Sequence, residues 1–268
     1  MTAGLIINIF LILSFLYLGL ICFLHIEKKS FLNKTIFLSN LLLVITFCCL
    51  IYTYKLYSDS NNLTIISLLL MIILLSLYFV LSIISHAFIR LRIIFFPFFL
   101  ILLSFFLIST ILYSSKTTEM DLFNNRMLII HILSSLFSYS MLTICSITSL
   151  SVFMQERILK SQTYNKYISS LLPSIYEGET LTIRFLYLTF LFLIISLVTG
   201  YFYNLEQYGD IKYFLNEKSL LSLFSTIIIL TLLALRFFYG LNSKTTLKII
   251  LLCYLFINFS YFGIKIIN

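Results

Sequence analysis

Residues 127–153 read MLIIHILSSLFSYSMLTICSITSLSVF and contain no Lys, Arg, Asp or Glu. A helix that crosses the hydrocarbon core of a bilayer needs about 20 mostly apolar residues. This stretch is therefore predicted to be a membrane-spanning helix, and similar runs recur along the chain. We predict eight spans, at about 3–25, 36–57, 63–86, 92–114, 127–153, 184–204, 219–239 and 246–266.

The composition agrees with this class of protein. Of the 268 residues, 61% are hydrophobic, and only 18 are Lys or Arg and 10 are Asp or Glu. Soluble domains carry roughly 45–50% apolar residues, so a soluble enzyme, a nucleic-acid reader and a disordered linker are excluded. The unbroken runs also differ from the alternating segments of about 10 residues that form a membrane β-barrel. We predict an all-α polytopic membrane protein, folded as a single integral membrane domain over residues 1–268.

The distribution of basic residues predicts the orientation. Loops that follow odd-numbered spans carry 12 of the 18 Lys and Arg, whereas the opposite loops carry more of the acids. Because cytoplasmic loops are enriched in Lys and Arg, both termini are predicted to lie outside. The net charge of +8 is then explained by inner loops facing an anionic leaflet. No nucleic-acid partner is expected, and the lipid bilayer is the predicted surroundings.

The cysteines do not form a metal-binding or redox motif. All five lie within apolar runs, and the sequence contains no Cys-x-x-Cys. Zinc, iron–sulfur and dithiol sites lack the usual ligand spacing. We interpret these cysteines as small apolar residues within the helices.

His131 is the candidate functional residue. It lies about four residues into the predicted fifth span, on a face that also carries Ser134, Ser135 and Ser138. An ionisable group inside a span is costly and indicates a functional site by default. The imidazole could be an axial ligand or hydrogen-bond donor to a cofactor near the outer face. The alternative is a buried histidine that hydrogen-bonds to a neighbouring helix.

The other ionisable residues near the span ends have simpler explanations. His25 and His86 are predicted at cytoplasmic span ends, where interfacial solvation accounts for them; a second, inner ligand pair is the weaker alternative. Arg236 is expected to extend its guanidinium to the headgroups. Glu177 and Glu179 are expected to be solvated in the longest loop, at about 155–183.

From residue 126 onward the chain resembles the cytochrome c assembly family (CcsA/CcmC type), and within it the HemX/YpjD-type branch. The segment 131–139 resembles the family's H-x6-S-Y helix. Further similarities, in the family's order and spacing, are Leu172-Pro173-Ser174 with Glu177 and Arg184, then Leu197-Val198-Thr199-Gly200, Lys218, and Ser260-Tyr261-Phe262-Gly263. On this basis residues 126–266 form the assembly-like core, and residues 1–115 are an additional four-helix portion.

The resemblance implies a set of site residues around haem. His131 would be the haem ligand and the only metal ligand, on the helix that also carries Tyr139. Tyr203 and Tyr208 lie in the stretch that cradles haem in full members, where they could stack on the macrocycle or simply line the membrane interface. Lys218 stands where the family has a lysine. Ser260 stands where the family has its second outward histidine.

The sequence departs from the family pattern at several of these positions. The stretch from about 201 to 218 contains no Trp, and Arg236 stands where full members have another histidine. Of the ligand set that the resemblance implies, only His131 remains. A clamp of two histidines cannot be built from the matched positions.

Two functions stay open at this point. The first is a component of haem handling or cytochrome c maturation, not an enzyme, that binds or presents haem near the outer face. Partner maturation proteins would carry out the attachment of haem. The second is a non-catalytic membrane scaffold or regulator of the HemX type that has lost haem binding and acts through residues 155–183. A transporter is disfavoured because no broken helix or midplane charge is evident. The expected location is the bacterial plasma (inner) membrane.

Overall fold

The fold was analysed in a computed structural model that describes residues 2–23, 31–57, 62–112, 125–160, 172–208 and 217–260. Within these residues the chain forms helices joined by short turns, and no strand is present. The helices, labelled in chain order, are α1 (Thr2–Phe23), α2 (Phe31–Tyr57), α3 (Asn62–Ile84), α4 (His86–Arg90), α5 (Arg92–Leu112), α6 (Arg126–Lys160), α7 (Ile175–Tyr208), α8 (Glu217–Tyr239) and α9 (Ser243–Asn258).

The all-helical prediction is confirmed, and the chain is a multi-pass membrane protein. Five stretches in the described residues are long and apolar enough to cross a membrane: Lys34–Leu56, Thr64–Ile84, Arg126–Lys160, Ile175–Gln207 and Ser219–Tyr239. Two shorter apolar helices cover Ile12–Cys22 and Arg92–Ile108. The count of eight spans and the outward termini remain predictions. Parts of three predicted spans, at 24–25, 113–114 and 261–266, lie outside the described residues.

The chain divides into two compact units, Met1–Thr118 and Glu119–Asn268. The first unit holds α1 to α5 and has an aromatic core. The ring of Tyr78 on α3 stacks on Phe95 of α5 with centroids 3.8 Å apart, and Phe99 stacks on Phe15 of α1 at 4.5 Å. Arg92 is buried at the start of α5, where its Nε donates to the carbonyl of Cys22 at 2.8 Å. This bond satisfies a carbonyl at the C-terminal end of α1.

The second unit contains α6 to α9 packed in an antiparallel arrangement. Paired contacts between α6 and α7 run in opposite chain directions, from His131 with Ser196, through Phe137 with Phe192, to Cys145 with Thr182. We call the end at which α6 begins the His131 end. The opposite end, at which α8 ends and α9 begins, is called the Arg236 end.

Helix α6 is the central element of the second unit. Every residue from Ser138 to Ser149 is buried. Its hydroxyls donate to carbonyls of their own helix, for example Ser138 to Ser135 at 2.7 Å and Ser140 to Leu136 at 2.9 Å. Such bonds satisfy polar groups without a partner from another helix, and the small side chains allow neighbouring helices to approach closely.

The predicted loop at 155–183 is wrong at both of its ends. Helix α6 continues to Lys160 and α7 already begins at Ile175; residues 161–171 lie outside the described part. A capping box starts α7: the Ser174 Oγ accepts from the Glu177 amide, and the Glu177 carboxylate accepts from the Ser174 amide, both at 3.3 Å. These bonds satisfy amides that a helix start otherwise leaves unpaired. Glu177 is exposed to solvent, as expected, but it belongs to the first turn of a helix and not to a loop.

Candidate functional site

His131 lies on α6 with its ring directed at the backbone of α7. The ring is half-buried, its Nδ1 is 2.7 Å from the carbonyl oxygen of Ser196, and the Ser196 hydroxyl is 3.3 Å from the same nitrogen. The contact joins positions 65 residues apart in the chain. His131 therefore does hydrogen-bond to a neighbouring helix, as the alternative without a cofactor predicted, and its bonds to described residues are all made by Nδ1.

The chemistry of the partner fixes which nitrogen carries the proton. A carbonyl oxygen can only accept a hydrogen bond, so Nδ1 must be the donor. In the neutral ring Nε2 then keeps its lone pair. Among the described residues both hydrogen bonds of this ring are made by Nδ1. A metal-binding histidine commonly has this arrangement, with one nitrogen held by a carbonyl and the other able to coordinate.

Apolar side chains surround His131 at its end of α6. Met127, Ile130 and Leu133 are 41%, 46% and 47% exposed. On α7, antiparallel pairing brings Tyr201 and Phe202 toward the same level, and their rings contact each other at 5.9 Å. This end of α6 and α7 is therefore apolar and aromatic, which suits acyl chains and the edge of a flat macrocycle alike.

Tyr139 does not share the environment of His131. Its hydroxyl donates to Asn258 Oδ1 at 2.7 Å and lies 3.3 Å from the Tyr254 hydroxyl, and both partners are on α9. Asn258 in turn donates to the Tyr254 carbonyl at 2.7 Å. Tyr139 is fully buried and is about 12 Å from His131 along the helix axis, at 1.5 Å per residue. It faces α9, whereas His131 faces α7.

The remaining predicted site residues lie toward the His131 end. Tyr203 is half-buried on α7, about 10 Å beyond Ser196 along the axis. Ser260 is buried and follows Asn258 toward the same end. Tyr208 ends α7 and Lys218 lies in the first turn of α8, and the side chains of both are outside the described part. The segment 209–216 and Tyr261 to Gly263 also lie outside it, as does His25.

Arg236 is paired, which corrects the expectation that it reaches to the headgroups. Its guanidinium is 3.3 Å from the carboxylate of Glu179, and the two side chains are only 16% and 35% exposed. Glu179 is likewise inside α7 and not solvated in a loop. The pair borders a small cavity that residues of all four helices line, among them Ser149, Thr182 and Ser243. This cavity lies at the Arg236 end, roughly 27 Å along α6 from His131.

A cluster of metal ligands is absent from the described residues: no group of three or more His, Cys, Asp or Glu could hold an ion there. The site is therefore a single imidazole with a defined tautomer. The sequence signalled His131 but not its partner Ser196, because an ordinary serine in an apolar helix has no distinguishing pattern. Glu179 lies close enough to the apolar run of α7 to belong to the same membrane span, and the sequence could have shown this.

The sequence model of the family described as cytochrome C assembly protein matches residues 60–268. This match covers well over half of the chain, and the chain belongs to that family. The matched region begins in front of α3 and thus includes helices upstream of residue 126, where the recognisable motifs start. Membership of the family supports a role in cytochrome c maturation.

One curated relative has no described activity. An uncharacterized 28.8 kDa protein from the nifR3-like 5′ region of Azospirillum brasilense is 29% identical over 139 residues. That alignment covers 52% of this chain and 51% of the relative, so the chain spans about half the length of the relative that it matches. No solved structure matches the chain significantly.

Proposed function

We propose that the second unit takes part in haem handling during cytochrome c maturation, and that His131 Nε2 would hold the haem. The observation that carries the proposal is the 2.7 Å bond from His131 Nδ1 to the Ser196 carbonyl. It fixes the tautomer in which Nε2 can coordinate. Bound haem would supply an iron that a neutral imidazole nitrogen can ligate. The protein itself performs no turnover, and partner maturation proteins attach the haem.

Among the described residues of the second unit, His131 is the one histidine that would hold haem. The Tyr139 hydroxyl donates a hydrogen bond to Asn258, and the Arg236 guanidinium forms an ion pair with Glu179. Ser260 offers a hydroxyl where a second imidazole would be needed. His86 heads α4 in the first unit. Met127, one turn before His131 on the same face of α6, would lie nearest to the macrocycle edge, and Tyr203 lies farther along α7.

Charge supports the placement of His131 at the outer face. The basic residues in the Arg236 half of the second unit are Arg157, Lys160, Arg184, Arg236, Lys244 and Lys248. At the His131 end, only Arg126 and Lys218 belong to described helices. Under the positive-inside rule the Arg236 end faces the cytoplasm. Haem would then be presented outward from the inner membrane of a bacterium.

A scaffold that does not bind haem is the second candidate, and specific contacts favour it. The positions that would supply further ligands are Ser260 and Arg236, and the second of these makes a structural ion pair. In this alternative the unit acts through protein contacts alone. The two candidates differ in one measurable property, which is the binding of haem to His131.

Absorbance of the purified full-length protein tests the proposal. The protein in detergent is titrated with haemin, and a Soret band that saturates near one haem per chain is expected. His131→Ala should abolish that band. His86→Ala is the matched control, since it removes a histidine from the other unit, and should leave the band unchanged.

The absence of a saturable Soret band in the wild-type protein would overturn haem binding and, with binding to maturation partners retained in cells, would favour the scaffold. An equal band in His131→Ala would overturn the assignment of His131 as the ligand. Light scattering and circular dichroism of each variant show whether it is folded and dispersed.

Cysteine labelling tests the outward placement. In a variant without the five native cysteines, Asn125→Cys and Asn242→Cys mark the two ends of the second unit. A membrane-impermeant thiol reagent added to intact cells should label only Asn125→Cys. Labelling of only Asn242→Cys would reverse the orientation without affecting the assignment of the ligand.

A further inference from the structure

The carbonyl that holds His131 is reached in the middle of a helix, where carbonyls are normally enclosed. In an α-helix the carbonyl of residue i points at the amide of residue i+4, so the side chains three and four residues later flank it. For Ser196 these are Thr199 and Gly200. Gly200 is buried and has no side chain. Glycine at this position therefore places no side chain beside the Ser196 carbonyl.

Two small residues lie close together along α7. Ser196 and Gly200 are both buried and lie four residues apart, a spacing at which small residues let two helices approach closely. Neighbouring Val198 is 47% exposed and belongs to the opposite, outward face. The two small residues thus share the face of α7 that meets α6.

Thr199 contacts the same carbonyl. Its hydroxyl lies 2.7 Å from the Ile195 carbonyl and 3.1 Å from the Ser196 carbonyl. The Ser196 oxygen therefore receives His131 Nδ1 at 2.7 Å and shares in the hydroxyl proton of Thr199. A second donor withdraws electron density from an acceptor, so Thr199 moderates the strength of the bond to His131.

We propose that Ser196, Thr199 and Gly200 form a positioning site, here called the α7 niche, that sets the tautomer of the His131 ring. Gly200 admits the imidazole to the Ser196 carbonyl, and Thr199 adjusts the acceptor strength of that carbonyl. The consequence for haem rests on the proposed function above. The tautomer of the ring does not depend on the proposed function, because it is a property of the protein without haem.

Nitrogen NMR of the haem-free protein tests the niche directly. The chain has only three histidines, so histidine labelled with 15N gives few signals, and His131→Asn assigns those of interest. In the wild type the proton should reside on Nδ1. Gly200→Leu should block the niche and move the proton predominantly to Nε2, as in a free imidazole. Thr199→Val should keep the Nδ1 proton and shift it downfield, since its hydrogen bond strengthens.

Control variants separate the niche from general packing. Val198→Leu changes an exposed neighbour and should leave both nitrogen signals unchanged. Thr199→Ser keeps a hydroxyl and should resemble the wild type. If Gly200→Leu does not fold, Gly200→Ala and Thr199→Val test the same claim with smaller changes. A wild-type ring protonated on Nε2, or an unchanged ring in folded Gly200→Leu, would overturn the proposal.

Haem titration then shows whether the niche matters for the ligand. Loss of a partner that orients a metal-binding histidine lowers metal affinity by about 10–100-fold, and a loss of that size is expected in Gly200→Leu. If haem does not bind at all while the nitrogen signals behave as described, the niche stands and the proposed function fails. If haem binds through His131 but the nitrogen signals do not respond, the proposed function stands and the niche fails.

Discussion

Glu179 on α7 and Arg236 on α8 form an ion pair of 3.3 Å in which both side chains are largely withdrawn from solvent. The two residues lie at the Arg236 end of the second unit, each inside a stretch long and apolar enough to span a membrane. The pair joins α7 to α8 beside a cavity that also borders α6 and α9.

Removal of one partner should therefore destabilise the second unit. Arg236→Met leaves the Glu179 carboxylate withdrawn from water without its counter-ion. The expected loss in unfolding free energy is about 1–3 kcal/mol, which lies between the contributions of exposed and of buried ion pairs. Denaturant unfolding in detergent measures it. The double variant with Glu179→Gln should recover part of the loss, whereas independent, additive losses would show that the two groups do not interact.

The close approach of α6 and α7 predicts intolerance at Gly178. A Cβ at this position would lie 2.5 Å from Val152 Cγ2, so Gly178→Ala forces the helices apart. Overpacking of this kind costs about 1–3 kcal/mol. Its combination with Val152→Ala removes the obstructing methyl groups and should restore much of the stability in the same unfolding assay. If Gly178→Ala alone is as stable as the wild type, the predicted steric conflict is absent.

The capping box makes Ser174 a stability determinant at the start of α7. Ser174→Ala removes the acceptor for the Glu177 amide and should cost about 0.5–2 kcal/mol. Ser174→Asp keeps an acceptor at the same position and should retain most of the stability. Hydrogen exchange of the first-turn amides locates the effect; equal exchange in both variants would contradict it.

Tyr139 is expected to stabilise the unit without contacting haem. Tyr139→Phe removes the donor to Asn258 Oδ1 and leaves a half-buried acceptor without this partner, at a cost of about 1 kcal/mol. Because the hydroxyl faces α9 and His131 faces α7, the Soret band should keep its position and intensity. A shifted Soret band in Tyr139→Phe would instead indicate that Tyr139 contacts haem, as the family resemblance implied.

Much of the fold could be predicted from the sequence. Runs such as 127–153 have to be helical in a bilayer, because only a helix satisfies the backbone within one segment in the absence of water. The ends of α6 and α7 were missed, because Glu177 and the other charged residues beyond the apolar runs suggested a loop. The capping box at Ser174 and Glu177 was present in the sequence and indicated a helix start.

By itself, the sequence determined the class of protein, its helical construction, its family and the candidate imidazole of His131. Only the tertiary structure decided that Ser196 holds this imidazole and that Glu179 pairs with Arg236. In a soluble protein the apolar face of a helix identifies the side that faces the core. Lipid-facing and core-facing sides are both apolar here, so the rotation and register of each helix became defined only once the helices were packed together.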